Sequence, residues 1–242
     1  MKKTFRGSMC AYCSTSPAAT EDHVIGRNFF PKSSRDNLPK VPACAVCNAR
    51  KSNYERYAMA VFPFGSVHDT AQEILHTKVR RRLEKDQRLH RRLRDGQRDV
   101  VVANPDGSTQ STIAIPFDYK QCSDLFAMII KGLLWHHFRS PLPGNYIVRL
   151  FPLTDYGLRL FKQHILSLSP DEFEQASLAD GAFKYEFTRN PEDPFFSAWV
   201  LDFYDSLNMC GVTERGRLLP VHIAALTGPP EVGRIAEAFK QL

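Results

Sequence analysis

The chain has 242 residues and a net charge of +6, with 43% hydrophobic and 11% aromatic residues, as in an ordinary folded protein. No apolar run approaches the roughly 18 residues that span a bilayer. The basic N-terminus is not followed by the apolar segment of a secretory signal. We therefore expect a cytoplasmic protein without membrane contact, folded as one large domain or two small ones.

Positive charge is concentrated in the N-terminal part of the chain. Residues 1–56 contain 10 Lys and Arg against 4 Asp and Glu, and residues 78–94 contain 9 against 2. Residues 95–242 contain 13 against 18 and are therefore acidic. This asymmetry is expected of a protein that binds a polyanion through its N-terminal two-fifths.

The predicted elements belong to an α+β fold in three segments. Residues 1–62 form a small metal-organised module, residues 63–97 a basic helical segment, and residues 98–242 a larger mixed α+β domain of unknown role. Hydrophobic spacing and turn residues predict helices over 45–61, 70–94, about 125–135, 155–168 and 230–242, a hairpin over 98–116, and strands over 146–151, 183–189 and 195–210.

Four of the six cysteines fall in two Cys-x-x-Cys pairs, Cys10 with Cys13 and Cys44 with Cys47. Such a turn directs two thiolates at one tetrahedral metal, and two turns complete an all-thiolate zinc site of the structural kind. In a reducing compartment this spacing indicates metal ligands rather than disulfides. The remaining Cys122 and Cys210 are interpreted as small buried hydrophobic residues.

The residues between and after these pairs resemble the signature of the HNH endonucleases. Asp22-His23 follows the first pair, Asn37 precedes the second, and Asn48 directly follows the fourth cysteine. The resemblance covers about a quarter of the chain. It implies a zinc-stabilised ββα-metal module, similar to a treble clef, that hydrolyses phosphodiester bonds of nucleic acid. DNA is favoured over RNA as the substrate.

Phosphodiester hydrolysis needs an activated water and stabilisation of charge at the phosphate. His23 is the predicted general base, because an imidazole titrates near neutral pH. Asp22 and Asn48 offer oxygen ligands for one divalent cation, Mg²⁺ or Mn²⁺, with Ni²⁺ or Zn²⁺ as alternatives. Asn48 could instead cap the helix. The resemblance implies that Asn37 orients His23 or constrains the loop, and a plain turn residue is the alternative.

The chain departs from the family where a proline often follows the Asp-His-hydrophobic-hydrophobic run. Gly26 stands there instead, followed by Arg27. The change alters the stiffness of the loop and removes no ligand.

Basic residues around the motif and in the 63–97 segment are candidate nucleic-acid contacts. A solvated surface is the alternative for each. The candidates are Arg27, Lys32, Arg35, Lys40, Arg50, Lys51, Arg80, Arg81, Arg88, Arg91 and Arg92.

Three functional hypotheses follow. The first is a DNA endonuclease with one active site per chain, which as a homodimer would cut both strands. The second is a zinc-dependent nucleic-acid-binding module without catalysis. The third is a nuclease subunit of a bacterial anti-phage defence system that a partner protein activates.

Overall fold

The structure is a computed structural model that describes residues 5–103, 108–153, 155–168, 173–205, 211–212, 218–219 and 222–230. The predicted hairpin turn at 104–107, Cys210 and nearly all of the predicted 230–242 helix lie outside these residues. The described chain is α+β, as predicted.

The N-terminal module is built from two antiparallel strands and a helix. Strand β1 (Thr20–His23) pairs with β2 (Lys40–Ala43), and helix α1 (Ala45–Val61) follows directly. The Sγ of Cys44 accepts a hydrogen bond from the backbone N–H of Cys47 at 3.4 Å and so caps α1. The helix ends two residues before Pro63, where the sequence predicts its end.

The predicted continuous helix over 70–94 is wrong, because the structure divides it. It comprises α2 (Asp69–Ile74), a π-helical turn (Leu75–Val79), α3 (Arg80–Lys85) and α4 (Gln87–Asp95). The break is at Asp86, whose carboxylate accepts a hydrogen bond from the N–H of Leu89 at 3.0 Å. An aspartate that satisfies a free backbone N–H begins a new helix more readily than it continues an old one.

The C-terminal part contains the strands β5 (Ile147–Leu153), β6 (Glu174–Leu178), β7 (Phe183–Arg189), β8 (Ser197–Phe203) and β11 (His222–Gly228). They form a five-stranded antiparallel sheet in the order β5-β11-β8-β7-β6. Sequence patterns predict β5, β7 and β8 but miss the edge strand β6 and the interior strand β11, whose alanines have weak strand propensity. Strand β8 ends at Phe203, earlier than predicted, because Tyr204 and Asp205 adopt left-handed φ angles of 59° and 56°.

Two helices cover the two faces of this sheet. Alternate residues of β8 point to opposite sides, so Trp199 and Leu201 pack in the same core as α5 (Tyr119–Phe138), whereas Val200 packs with Phe161 of α6 (Asp155–Leu168). The hairpin of β3 (Arg98–Ala103) and β4 (Thr109–Ala114) is largely exposed, and β9 (Gly211–Val212) and β10 (Leu218–Leu219) form a separate short pair.

One hydrophobic core joins the N-terminal module to the sheet. Phe62 at the end of α1 stacks on Phe126 of α5 at 5.6 Å, and Phe29 lies 5.3 Å from Phe203 of β8. Gly132 of α5 lies so close to Val24 that a Cβ there would be 3.0 Å from its side chain. The module is therefore supported by the rest of the chain rather than packed on its own.

No helix in the described part of the chain is long and apolar enough to cross a membrane.

Candidate nuclease site

The four predicted cysteine ligands converge. The Sγ atoms of Cys10, Cys13, Cys44 and Cys47 all lie within 4.8 Å of one another. A tetrahedral zinc ion with Zn–S bonds of about 2.3 Å places its sulfurs about 3.8 Å apart, so the cluster has the size for such an ion. The four cysteines can therefore bind a metal such as zinc.

The surroundings of the cluster affect its thiols unequally. Burial raises the pKa of Cys13, but hydrogen bonds from Thr15 and Ser16 outweigh it and lower that pKa to about 6. Burial raises the pKa of Cys10 and of Cys47. A metal must displace protons from these thiols, and its affinity therefore falls as pH falls.

Strand β1 presents two different faces, because side chains alternate along a strand. Thr20 and Asp22 point towards α1: Thr20 Oγ1 accepts a hydrogen bond from Asn48 Nδ2 at 3.0 Å, and Asp22 Oδ2 lies 3.1 Å from Lys51 Nζ. Glu21 points to the other face, where its Oε1 lies 3.3 Å from Lys40 Nζ. The two predicted ligands of the divalent cation thus lie on facing sides of β1 and α1, with Asp22 on the strand and Asn48 on the helix.

Lys51 is buried beneath this face. Its Nζ donates to the backbone oxygen of His23 at 2.7 Å and contacts Glu55 Oε1 at 2.5 Å and Asp22 Oδ2 at 3.1 Å. Two hydrogen bonds and a further ion pair thus surround the ammonium, which is how a buried charge is stabilised. The prediction that Lys51 contacts nucleic acid is wrong, since its side chain is only 1% exposed.

The two carboxylate oxygens of Asp22 differ in their contacts. The buried Tyr12 donates its hydroxyl hydrogen to Asp22 Oδ2 at 2.6 Å, beside Lys51. Burial, and then the charge of Asp22, raise the pKa of Tyr12 well above its usual value, so the hydroxyl stays a donor. Among the described residues no hydrogen bond reaches Asp22 Oδ1, which can therefore coordinate a cation.

Gly26 permits the contact that holds Glu55. A Cβ on Gly26 would lie 2.6 Å from Glu55 Oε2, and the Gly26 N–H donates to the Glu55 carboxylate. Gly26, which stands where the resemblance leads one to expect proline, therefore makes room for the Glu55 carboxylate in addition to changing the stiffness of the loop. A proline here would remove the donor and place atoms where the carboxylate lies.

His23 is half-buried, and its ring makes no hydrogen bond to any described residue. Burial, Lys40 opposite it in β2 and Arg27 lower the pKa of His23 to about 4. Its imidazole is therefore neutral at neutral pH, but it is a weaker base than the sequence led us to expect, because its pKa lies below the neutral range.

The two asparagines differ in their surroundings. Asn37 lies in an exposed turn with a left-handed φ of 61°, and no hydrogen bond joins it to His23. Asn48 lies in the first turn of α1, but Cys44 caps that helix, so the capping alternative for Asn48 is wrong. Its side chain bonds to Thr20 through Nδ2, which leaves Oδ1 for a ligand.

The basic segment packs against the module. Lys78 Nζ donates to Phe30 O at 2.7 Å, and Arg82 Nη1 donates to Arg56 O at 2.8 Å. Arg35 uses part of its guanidinium within the module, because its Nε and Nη2 donate hydrogen bonds to Phe30 O at 3.1 and 3.0 Å. Lys40 is half-buried and pairs with Glu21. The remaining predicted contacts are exposed, namely Arg27, Lys32, Arg50, Arg80, Arg81, Arg88, Arg91 and Arg92.

Two residues of the site were not predicted from the sequence. Glu55 follows Lys51 at the i,i+4 spacing of a helical ion pair, a signal that was present but is common on exposed helices. Tyr12 has no sequence signal, because its contact with Asp22 arises from folding of the first cysteine turn against β1.

No family model matches this chain, and neither curated proteins nor solved structures show significant similarity to it.

Proposed function

We propose that the chain is an HNH-type, metal-dependent endonuclease that hydrolyses phosphodiester bonds of nucleic acid, with DNA as its substrate. The observation that carries the proposal is that Asp22 and Asn48 both lie on the α1 side of β1, with His23 next to Asp22 at the end of the strand. Asp22 and Asn48 each have a side-chain oxygen that accepts no hydrogen bond from described residues, and the adjacent His23 keeps a neutral ring free of hydrogen bonds.

The proposed roles follow from these contacts. Asp22 Oδ1 and Asn48 Oδ1 would hold one divalent cation, which when bound would stabilise negative charge on the phosphate. His23 accepts the proton of the attacking water. Lys51 and Tyr12 fix the orientation of Asp22, because Tyr12 donates a hydrogen bond to Oδ2 and the Lys51 ammonium lies 3.1 Å from the same oxygen.

The fold of the module supports the same proposal. Strands β1 and β2 followed by α1 have the element order of a ββα-metal unit, and the cysteine cluster lies where β2 meets α1 and the first turn meets the strands. We propose that the cluster holds structural zinc. This ion would fix the angle between β1 and α1 and so the separation of Asp22 and Asn48.

A plasmid assay tests the proposal. Purified protein is incubated with supercoiled plasmid and Mg²⁺ or Mn²⁺, alongside His23→Ala and the control His76→Ala, an exposed histidine outside the site. We expect the wild type and His76→Ala to nick or linearise the plasmid and His23→Ala to lose at least about 100-fold in rate. Equal rates for the wild type and His23→Ala would refute the assigned chemistry.

A zinc-dependent nucleic-acid-binding module without catalysis is the second candidate. The engagement of Asp22 Oδ2 by Lys51 and Tyr12 favours it, because this carboxylate would have a structural partner without any cation. Binding of plasmid without cleavage under either metal would support this candidate over the first.

A further inference from the structure

A groove of about 260 Å³ lies between the second half of α1 and helix α4, outside the proposed catalytic site. It is lined by arginines, amides and one aromatic ring. These residues are Asn53, Arg56 and Tyr57 of α1, Arg88 and Arg92 of α4, and Gln121 of α5.

The charge of the groove suits an anion. Arg56 and Arg88 form no ion pair with any described residue, and Arg92 lies 3.7 Å from Asp118 Oδ2. The one acidic residue of the lining, Asp86, is engaged as the cap of α4. Two arginines are thus left for a phosphate, which a guanidinium binds well through paired donors.

One wall of the groove is a flat, fixed surface. The guanidinium of Arg92 lies 4.9 Å from the centre of the Tyr57 ring. The Tyr57 hydroxyl oxygen accepts a hydrogen bond from the Asp118 N–H at 2.7 Å, so the ring is held in place. A stacked guanidinium is a surface on which a nucleic-acid base can lie.

The amides supply groups that recognise the edge of a base. Gln121 donates through Nε2 to Asp118 Oδ2 at 2.7 Å, and its Oε1 remains for a ligand. Asn53 is exposed and makes no hydrogen bond to any described residue. Asparagine and glutamine side chains offer the paired donor and acceptor that bases require.

We propose that this groove binds one unpaired nucleotide, with its phosphate on Arg56 and Arg88 and its base on Arg92. The proposal rests on the proposed function and narrows its substrate to nucleic acid with at least one unpaired nucleotide. The volume is near the lower end of ligand pockets, which suits one nucleotide rather than several. A base stacked within a duplex cannot enter a concave site, whereas an unpaired one can.

Binding without divalent metal tests this site separately from cleavage. Fluorescence anisotropy measures the Kd of a labelled single-stranded oligonucleotide and of the duplex with the same sequence. The variants are Arg88→Ala, Asn53→Ala and the control Arg81→Ala, an exposed arginine of α3 outside the groove. Arg88→Ala should weaken single-strand binding about tenfold and duplex binding about threefold or less. Asn53→Ala should weaken single-strand binding alone, and Arg81→Ala should affect both substrates equally.

Equal losses on both substrates for Arg88→Ala and Arg81→Ala would overturn the proposal and leave only a general phosphate-binding surface. A competition arm with a free nucleoside monophosphate distinguishes the two sources of this ligand. Displacement of the oligonucleotide from wild type but not from Arg88→Ala supports a shared nucleotide site. Binding of the free nucleotide without binding of the strand would overturn the assignment to a nucleic-acid substrate. If the plasmid assay fails but these results hold, the groove stands and the nuclease proposal falls.

Discussion

Replacing Lys51 by methionine tests whether the buried ammonium organises the site. Lys51→Met removes the cation and leaves Asp22 and Glu55 as two carboxylates around an apolar side chain. Breaking a buried ion pair by removing one partner costs about 3–5 kcal/mol, because the remaining charge is left unpaired. We expect a loss of this size in the free energy of unfolding, measured by urea denaturation with circular dichroism.

The double variant Lys51→Met with Glu55→Met separates the lost charge pairing from the lost packing. Removing both partners takes away the unpaired Glu55 carboxylate, so the double variant should recover about half of the stability that Lys51→Met loses. A coupling energy between the two positions below about 0.5 kcal/mol would refute the interpretation that they act as a buried pair. Cleavage of nucleic acid should be low in the single and in the double variant, because in both of them Asp22 lacks the Lys51 ammonium.

Three further perturbations test other parts of the structure. Gly26→Ala should lower the free energy of unfolding in urea by about 1–3 kcal/mol, because its Cβ would lie 2.6 Å from Glu55 Oε2. Glu55→Ala should lose stability on its own, but in the Glu55→Ala background most of the Gly26→Ala penalty should disappear. An unchanged penalty in that background would contradict this contact. Chelation of the metal should lower the thermal midpoint of the whole chain and change the near-ultraviolet circular dichroism of Trp199 in the shared core. If limited proteolysis showed that only an N-terminal fragment had lost its structure, the core would not be shared. The pKa of His137 is lowered to about 4 by burial and by the charges of His136, Arg189 and Arg139. The stability that depends on the neutral imidazole should therefore be complete above pH 6.5 and decline by about 2–3 kcal/mol towards pH 4, because the unfolded imidazole takes up a proton first. His137→Phe should flatten that part of the curve of stability against pH.

Local signals in the sequence predicted the cysteine cluster and α1 correctly. The Cys-x-x-Cys spacing has few structural solutions, and Pro63 marks the end of the helix. The break at Asp86 was missed, because an aspartate in a basic, helical pattern gives no sign that its side chain will cap a new helix. Strand β11 was missed because its burial comes from its neighbours β5 and β8 and not from its own composition.

The sequence selected the residues of the proposed site but not the contacts that they make. The Asp-His pair and the Asn after the fourth cysteine pointed to Asp22, His23 and Asn48, which lie on β1 and on the adjacent α1. The role of Lys51 could not be predicted, because a lysine in a basic segment is normally exposed and its burial here depends on Glu55, Asp22 and the His23 carbonyl meeting at one point. Long-range convergence of this kind leaves no periodic signal.

The C-terminal part contributes to the site through packing. Val24 follows His23 directly, and it is fully buried against Gly132 of α5, where an added Cβ would lie 3.0–3.1 Å from the Val24 side chain. The distance between β1 and α5 is therefore limited by this contact as well as by the cysteine cluster. A larger residue at position 132 would push β1 away from α5, and the shift would be transmitted to both Asp22 and His23. The helix that packs on the five-stranded sheet thus sets the position of the strand that carries the proposed chemistry, which explains physically why the module shares its core with the rest of the chain.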